Sequence, residues 1–419
     1  MVKHFRYTFL TIILLLGFAG KSIGENTIST TASNIEPADS TIRVSLLTCQ
    51  PGNEVYSFYG HSAIRFEDKQ NGIDVAVNYG MFSFSKPFFV LRFIFGLTDY
   101  EMGIIPFDIF LRSYEYDKRG IYEQELNLTN EEKIKLRDAI ETNYLPENRV
   151  YRYNYIYDNC TTRARDILLS QISSDKTIKY TIKENTHKTL DINKLPRQNV
   201  SYRDMIHHYT TNHPWSRFGN DLLLGFKADF STNKKEQQFL PEYLMEDFQT
   251  TQIIESDGDS IPLVKDSRWI LPKFNTTTER AFPLRPSECF WILFIITIAI
   301  TAIELFTRKS LWGYDTLLMS LCGLSGIVLL AMFCSQHPTT STNLQILILN
   351  PLALLFIYRT TKNSIKHRPD SFWLYSIIAI ILFLLGGLIQ HYAEGMYILA
   401  LSLLIRCIWN ILRYRQHEQ

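Results

Sequence analysis

Apolar positions follow two different patterns along the chain. From residue 25 to 285 they alternate with polar residues or recur at helical spacing, whereas from 286 to 412 they run in long stretches. Five stretches, at about 290–306, 314–334, 343–359, 372–390 and 395–412, each come near the ~20 residues with which a helix crosses a bilayer. In the first part, residues 43–48, 61–66 and 73–79 read as strands; the last two are joined by the turn-rich hexapeptide 67–72 and make a hairpin. Residues 129–142 read as a helix: Thr129 caps it, Glu131 and Glu132 stand in its first turn, and Ile134, Leu136 and Ile140 supply apolar contacts. Tyrosines at 151, 153, 155 and 157 predict a strand with one aromatic face. Directly beyond it, Asp158-Asn159-Cys160-Thr161-Thr162 leads into Ala164, Ile167 and Leu168 at helical spacing, so Cys160 falls where a helix begins. The expected class is α+β, followed by a bundle of about five transmembrane helices.

Charge decides which way this chain lies in a membrane. Overall the net charge is only +1, which offers no field for nucleic acid or other polyanions, and a mean hydropathy of -0.06 averages away the split. Arg308 and Lys309 follow the first apolar stretch, Arg359, Lys362, Lys366 and Arg368 the third, and Arg413 and Arg415 the fifth. The connections after the second and fourth carry no Lys or Arg. Cytoplasmic loops collect positive charge, which puts the C-terminus inside and residues 25–285 outside. The N-terminus agrees: Lys3, His4 and Arg6 precede the apolar run 8–19, and Ser22-Ile23-Gly24 offers small residues at cleavage spacing. An uncleaved anchor there would change the number of spans but not the side. The chain is thus divided into a signal peptide (1–24), an extracytoplasmic domain (25–285) and a membrane domain (286–419). Glu304, Asp315 and Arg406 fall near cytoplasmic span ends, where snorkelling and a structural role are expected.

Candidate chemistry centres on one thiol. Of six cysteines, only Cys49 and Cys160 belong to the outer domain. The unpaired N–H groups of a helix start stabilise a thiolate and donate to an oxyanion, which makes Cys160 the candidate nucleophile. A Cys49–Cys160 disulfide is the competing possibility in an oxidising compartment. Among ten histidines, His61 stands apart because it opens a strand just after Gly60. Strand alternation sets His61, Ala63 and Arg65 on one face. If the numbers of facing residues in the hairpin add to an odd total, Asn78 shares that face near Ala63 or Arg65; a slip of one residue brings Tyr79 there instead. Cys160 as nucleophile, His61 as base, Asn78 as its orienter and Arg65 as a polar or phosphate contact form the expected set. No metal-ligand spacing and no glycine-rich phosphate loop occurs, so neither a metal nor a cofactor is expected.

Gly60-His61-Ser62-Ala63-Ile64-Arg65, followed much later by Asp158-Asn159-Cys160-Thr161-Thr162, resembles the circularly permuted papain-like (NlpC-type) hydrolases and acyltransferases. More narrowly, the chain resembles the Lnb-type lipoprotein N-acyltransferases, which place such a domain ahead of transmembrane helices. Thr48-Cys49-Gln50-Pro51-Gly52, Asn78-Tyr79-Gly80-Met81-Phe82, residues 123–129 and Pro214-Trp215-Ser216-Arg217-Phe218-Gly219 also fit. The resemblance implies a multi-pass inner-membrane protein with its catalytic domain in the periplasm. It implies transfer of an acyl chain from a membrane phospholipid, through a Cys160 thioester, to the α-amine of a diacylglyceryl-cysteine lipoprotein.

Lipid access has its own signal: residues 86–96 and 104–111 are more apolar and aromatic than a solvated loop requires. They dip into the membrane interface, line an acyl groove, or form a buried core helix. Phe89 and Phe93 from this segment, with Arg65, Tyr79 and Asn159, make up the expected substrate contacts. A membrane-anchored cysteine peptidase or amidase acting on cell-wall peptides is the alternative activity; a soluble wall substrate requires neither five spans nor a phenylalanine-rich segment.

Overall fold

A computed structural model describes residues 41–82, 87–180, 197–274 and 282–415. The signal-peptide reading of 1–24 lies outside them. The described residues form two compact units, one lying within Met1–Asn193 and Lys234–Thr276, the other within Lys194–Asn233 and Thr277–Gln419.

The first unit is built on a seven-stranded antiparallel sheet whose strands are β1 (Ile42–Cys49), β2 (His61–Asp68), β3 (Ile73–Met81), β4 (Asp99–Pro106), β5 (Ile121–Leu126), β6 (Val150–Arg152) and β10 (Val264–Leu271). Their order across the sheet is β10-β5-β1-β2-β3-β4-β6. A second sheet, β7 (Thr177–Tyr180), β8 (Thr251–Ile254) and β9 (Ser260–Pro262), is ordered β7-β8-β9. Helices α1 (Phe89–Ile94) and α2 (Phe107–Tyr116) flank β4; α3 (Asn130–Tyr144) and α4 (Cys160–Ser170) follow β5 and β6. β1 and β2 bury residues from both alternating sets because both faces of the sheet are covered. Val44, Leu46, Ile64 and Val77 pack with Leu136 and Ile140 of α3 and Ala164 and Leu168 of α4. On the other face Leu47, Cys49, Ala63 and Ala76 pack with Phe107, Phe110 and Tyr114 of α2. Burial on both faces fixes strand register, since a one-residue slip exchanges the two sets.

The hairpin closes as Ile64↔Val77 and Arg65↔Ala76, the odd-total register that places Asn78 on the face of His61. α3 begins as read, with Thr129 and Glu132 capping each other reciprocally. The tyrosine strand is shorter than expected. β6 ends at Arg152, because Asn154 Oδ1 accepts the N–H groups of Ile156 and Tyr157 at 3.1 Å each and turns the chain back toward Cys160.

Among the described residues the second unit holds four helices long and apolar enough to cross a membrane, Pro286–Thr307, Trp312–Phe333, Leu344–Ile365 and Met396–Arg413, and the shorter apolar helix Phe372–Gly386. The sequence puts the domain boundary at 285/286, yet residues from 197 to 232 pack within this unit. Arg203, fully buried, pairs with Asp221 at 2.8 Å and Asp229 at 2.7 Å. Phe218, Leu222 and Leu223 rest against the core of the membrane helices, and Gln345 donates to the carbonyl of Asp221. Glu304, Asp315 and Arg406 do not snorkel. Arg406 is buried, bidentate to Asp315 at 2.7 and 2.9 Å and 2.7 Å from Glu304; Arg413 adds a second cation at 3.1 Å from Glu304. Two cations against two anions leave the cluster neutral, which suits an apolar surround better than four separate charges.

Candidate active site

Cys160 is the first residue of α4, and the segment before it explains why the helix starts there. Asn159 is the N-cap: its Oδ1 accepts the N–H groups of Thr161 at 2.8 Å and Thr162 at 3.0 Å, while Thr162 Oγ1 accepts the Asn159 N–H at 2.8 Å. Its Nδ2 donates to the carbonyls of Tyr155 and Phe239 at 2.8 and 2.9 Å. Every polar side-chain atom of this buried asparagine is therefore occupied, and it acts as a cap where a substrate contact was expected. The cap also consumes helix-start donors. Of the first-turn N–H groups read as an oxyanion site, that of Cys160 itself is left without a partner among the described residues.

The thiol is half-buried where β2 begins. Burial by itself would raise its pKa, but His61 lowers it by charge and by a side-chain hydrogen bond. The Ser62 backbone N–H and the Thr161 hydroxyl, 3.8 Å from Sγ, lower it further. The balance brings Cys160 down to about 7, from an ordinary thiol value of 9.0. Ser62 Oγ, donating to Thr161 Oγ1 at 3.2 Å, ties the start of β2 to the start of α4. Cys49, paired across the strands from His61, is a separate case: burial pushes it up to about 12. Both are free thiols, so the disulfide left open by the sequence is not formed.

His61 Nε2 lies 2.9 Å from Asn78 Oδ1. That oxygen also accepts the Gly80 N–H at 2.7 Å, which identifies it as the carbonyl end of the amide. An oxygen that only accepts requires the proton on Nε2, so the neutral ring keeps Nδ1 as its basic atom for the thiol. Asn78, and not Tyr79, thus meets the imidazole. Tyr79 lies in the core beneath the other face, where its carbonyl accepts the Tyr151 hydroxyl at 2.5 Å and burial pushes its own hydroxyl up to about 12.

Arg65 shares the face of His61 but is committed elsewhere. It is bidentate to Asp74 at 2.8 and 2.7 Å, reaches Glu123 at 3.1 Å, and stacks 3.7 Å above the Phe107 ring. That occupancy leaves its guanidinium in a structural ion-pair group in place of the phosphate contact expected. Phe89 and Phe93 belong to α1 in the β3–β4 connection, and Phe93 is exposed. Three features escaped sequence reading. Ser62 and Thr161 support the sulfur, and Gly80 makes room for the imidazole, since a β-carbon there would stand 2.6 Å from His61 Cε1. Phe82, Tyr100 and Tyr153 form a stack in and against the core on which Cys160 rests, with ring centroids 4.8 and 4.0 Å apart. The spacing of Gly80, two after Asn78, was the available signal.

A half-buried thiol near neutral pKa, hydrogen-bonded to an oriented imidazole, is equipped for nucleophilic attack on a carbonyl. Among the described residues no cluster of three or more His, Cys, Asp or Glu side chains is arranged to hold a metal. Two family models match the chain. The one described as the Lnb N-terminal periplasmic domain covers residues 36–193, and the one described as the Lnb transmembrane domain covers residues 277–417. No curated protein and no solved structure matches it.

Proposed function

Because the chain belongs to the Lnb family, inner-membrane proteins with a periplasmic domain followed by a transmembrane region, we propose that it moves an acyl chain from a phospholipid to a lipoprotein through a thioester on Cys160. Family membership supports a lipoprotein N-acyltransferase-like activity in general. The observation that carries the finer reading is the run of contacts from Asn78 through His61 to a thiol lowered to about 7.

In the first half-reaction the Cys160 proton passes to His61 Nδ1 and the sulfur attacks the ester carbonyl carbon of the phospholipid. The oxyanion accepts the Cys160 N–H. Collapse breaks the carbon–oxygen ester bond, and His61 returns its proton to the departing lysophospholipid alkoxide. In the second, the α-amine of a diacylglyceryl-cysteine lipoprotein attacks the thioester carbon and gives a proton to His61. The carbon–sulfur bond then breaks, leaving an amide and the Cys160 thiolate, which takes the proton back. Asn78 holds the ring for both transfers without exchanging a proton itself. The reaction needs no metal and no nucleotide.

The test is a trapped intermediate. Purified protein incubated with phospholipid and quenched in acid should carry a hydroxylamine-labile acyl mass on the Cys160 peptide. His61→Ala should carry none, and a diacylglyceryl-cysteine lipopeptide should remove the mass and gain it as an amide. A protein that never acquires the mass, yet cleaves cell-wall peptides, would be a membrane-anchored peptidase or amidase.

A further inference from the structure

The sheet end that carries the reactive thiol is crowned by two loops. One joins β1 to β2 and runs directly into His61; the other is residues 87–98 of the β3–β4 connection, which carry α1 and lead into β4 at Asp99. The Tyr56 ring on the first sets its edge against Phe82, just past β3, at 6.2 Å. From Phe82 the stack continues to Tyr100 at 4.8 Å and Tyr153 at 4.0 Å. Phe82, Tyr153 and Cys160 pack against the same core, to which Tyr100 belongs. Tyr100 and Tyr153 both lie within electrostatic reach of Cys160, so a line of rings leads from the outside of the domain toward the sulfur.

Both loops turn apolar side chains outward. Val55 and Tyr56 are 60% and 63% exposed on the first; on the second Phe88 is 74% and Leu91 53% exposed, with Phe93 and Leu97 exposed beside them. Phe88 also sits in the left-handed region, φ 56, a conformation that costs a bulky residue strain and that points to a functional constraint. Arg92, the basic residue of α1, is ion-paired with Asp99 at 3.0 Å, an anion shared with Arg152 at 2.8 Å, and on the first loop exposed Glu54 adjoins Val55. A buried core helix would hide these side chains. A solvated loop would not carry them.

We infer that these two loops insert into the outer leaflet of the membrane that the chain's own helices span, so that an acyl chain passes along the Phe82, Tyr100 and Tyr153 rings to Cys160 without crossing water. The occupant is a phospholipid leaflet because the domain is tethered to one, and because the apolar surface continues into the stack beside the thiol. The delivery step rests on the acyl-transfer reading; insertion does not.

The full chain in phosphatidylethanolamine/phosphatidylglycerol proteoliposomes provides the test. Benzoylphenylalanine at position 91 should yield phospholipid adducts on irradiation, and the same group at position 70, in the β2–β3 turn at the opposite end of the sheet, should not. Absence of lipid adducts at 91, or equal yields at both positions, overturns insertion. In a second arm the double variant Phe88→Asp/Leu91→Asp should slow acylation of Cys160 from bilayer phospholipid by about tenfold or more, each side chain losing its apolar anchorage. Alkylation of Cys160 by water-soluble iodoacetamide should keep its rate. Aspartate tolerates the left-handed backbone at position 88. Equal loss of both rates overturns the delivery role. Lipid adducts at 91 with no acylation of Cys160 would uphold insertion and sink acyl transfer instead.

Discussion

His61 lies so close over Gly80 that a β-carbon on the glycine would stand 2.6 Å from the imidazole Cε1 and 3.3 Å from Nδ1. Real carbon atoms do not approach that closely, and the same β-carbon would come within 3.1 Å of Asn78 Oδ1. Gly80→Ala is therefore expected to push the ring off Asn78 while leaving the sheet intact. A displacement of about 1 Å at a reacting group costs roughly 100-fold in rate. Acylation of Cys160 should fall by about that factor with thermal stability nearly unchanged; full activity in this variant would remove His61 from the mechanism.

Thiol reactivity should follow pH through the value set by the imidazole. With Cys160 lowered to about 7, its thiolate dominates above that pH, and alkylation slows roughly tenfold per unit below it. Burial remains in His61→Ala, while the charge and hydrogen bond that oppose it vanish, so the midpoint should move upward. Cys49, pushed up to about 12, should stay unreactive throughout. Iodoacetamide rates across pH 5–10, read at the Cys160 peptide, measure this; a wild-type midpoint at or above that of an ordinary thiol would contradict it.

Asn159→Ala removes a helix cap and strands the Tyr155 and Phe239 carbonyls without their donor. The lost cap costs about 1 kcal/mol and each stranded buried acceptor about 1–3 kcal/mol. The variant is expected to melt several degrees lower. Its folded fraction should also show a higher thiol midpoint, because the start of α4 is no longer held against Ser62. A pure loss of substrate affinity, with melting unchanged, would make Asn159 a substrate contact after all.

Arg65→Ala should behave as a broken ion-pair group. It leaves Glu123 and Asp74 without their shared cation and uncovers Phe107. Breaking such partly buried pairs costs about 3 kcal/mol, so thermal stability should drop. Phospholipid KM in the protein that remains folded should hold. A raised KM at wild-type stability would return Arg65 to headgroup recognition.

Arg406→Met in the membrane unit leaves Asp315 without its bidentate partner and Glu304 with Arg413 alone. Uncompensated carboxylate in an apolar surround is costly enough to stop accumulation of folded protein. Membrane yield by immunoblot checks it. Pairing the change with Asp315→Leu should recover part of the yield, since the cluster then loses one charge of each sign.

Local patterns along the chain were sufficient for several features. Alternation and the hexapeptide 67–72 specify the β2–β3 hairpin, Thr129 and Glu132 specify the start of α3, and apolar run length with loop charge specifies the membrane helices and their direction. Each rests on interactions between residues a few positions apart, or on a solvent boundary that composition records directly. The pairing of Asn78 with His61 was legible only as one of two registers. Burial of both sheet faces decided it, because Tyr79 fills the core that α3 and α4 build while Asn78 faces the imidazole.

What lay beyond local pattern were contacts between segments distant in sequence. Nothing near Arg65 announces that Glu123 would claim its guanidinium, and nothing near Asn159 announces the carbonyl of Phe239. Both residues have the composition of a substrate contact, and tertiary partners spent their hydrogen-bonding capacity on the fold. Glu304, Asp315 and Arg406 are a related case: their positions near span ends announce snorkelling or a structural role, and only the packing of three helices shows that they serve structure by pairing with one another. Sequence determines which groups a chain possesses and where its helices and strands begin. Only the folded neighbourhood determines which of those groups remain free to react, because a donor or acceptor is free only once all its competitors in space are known.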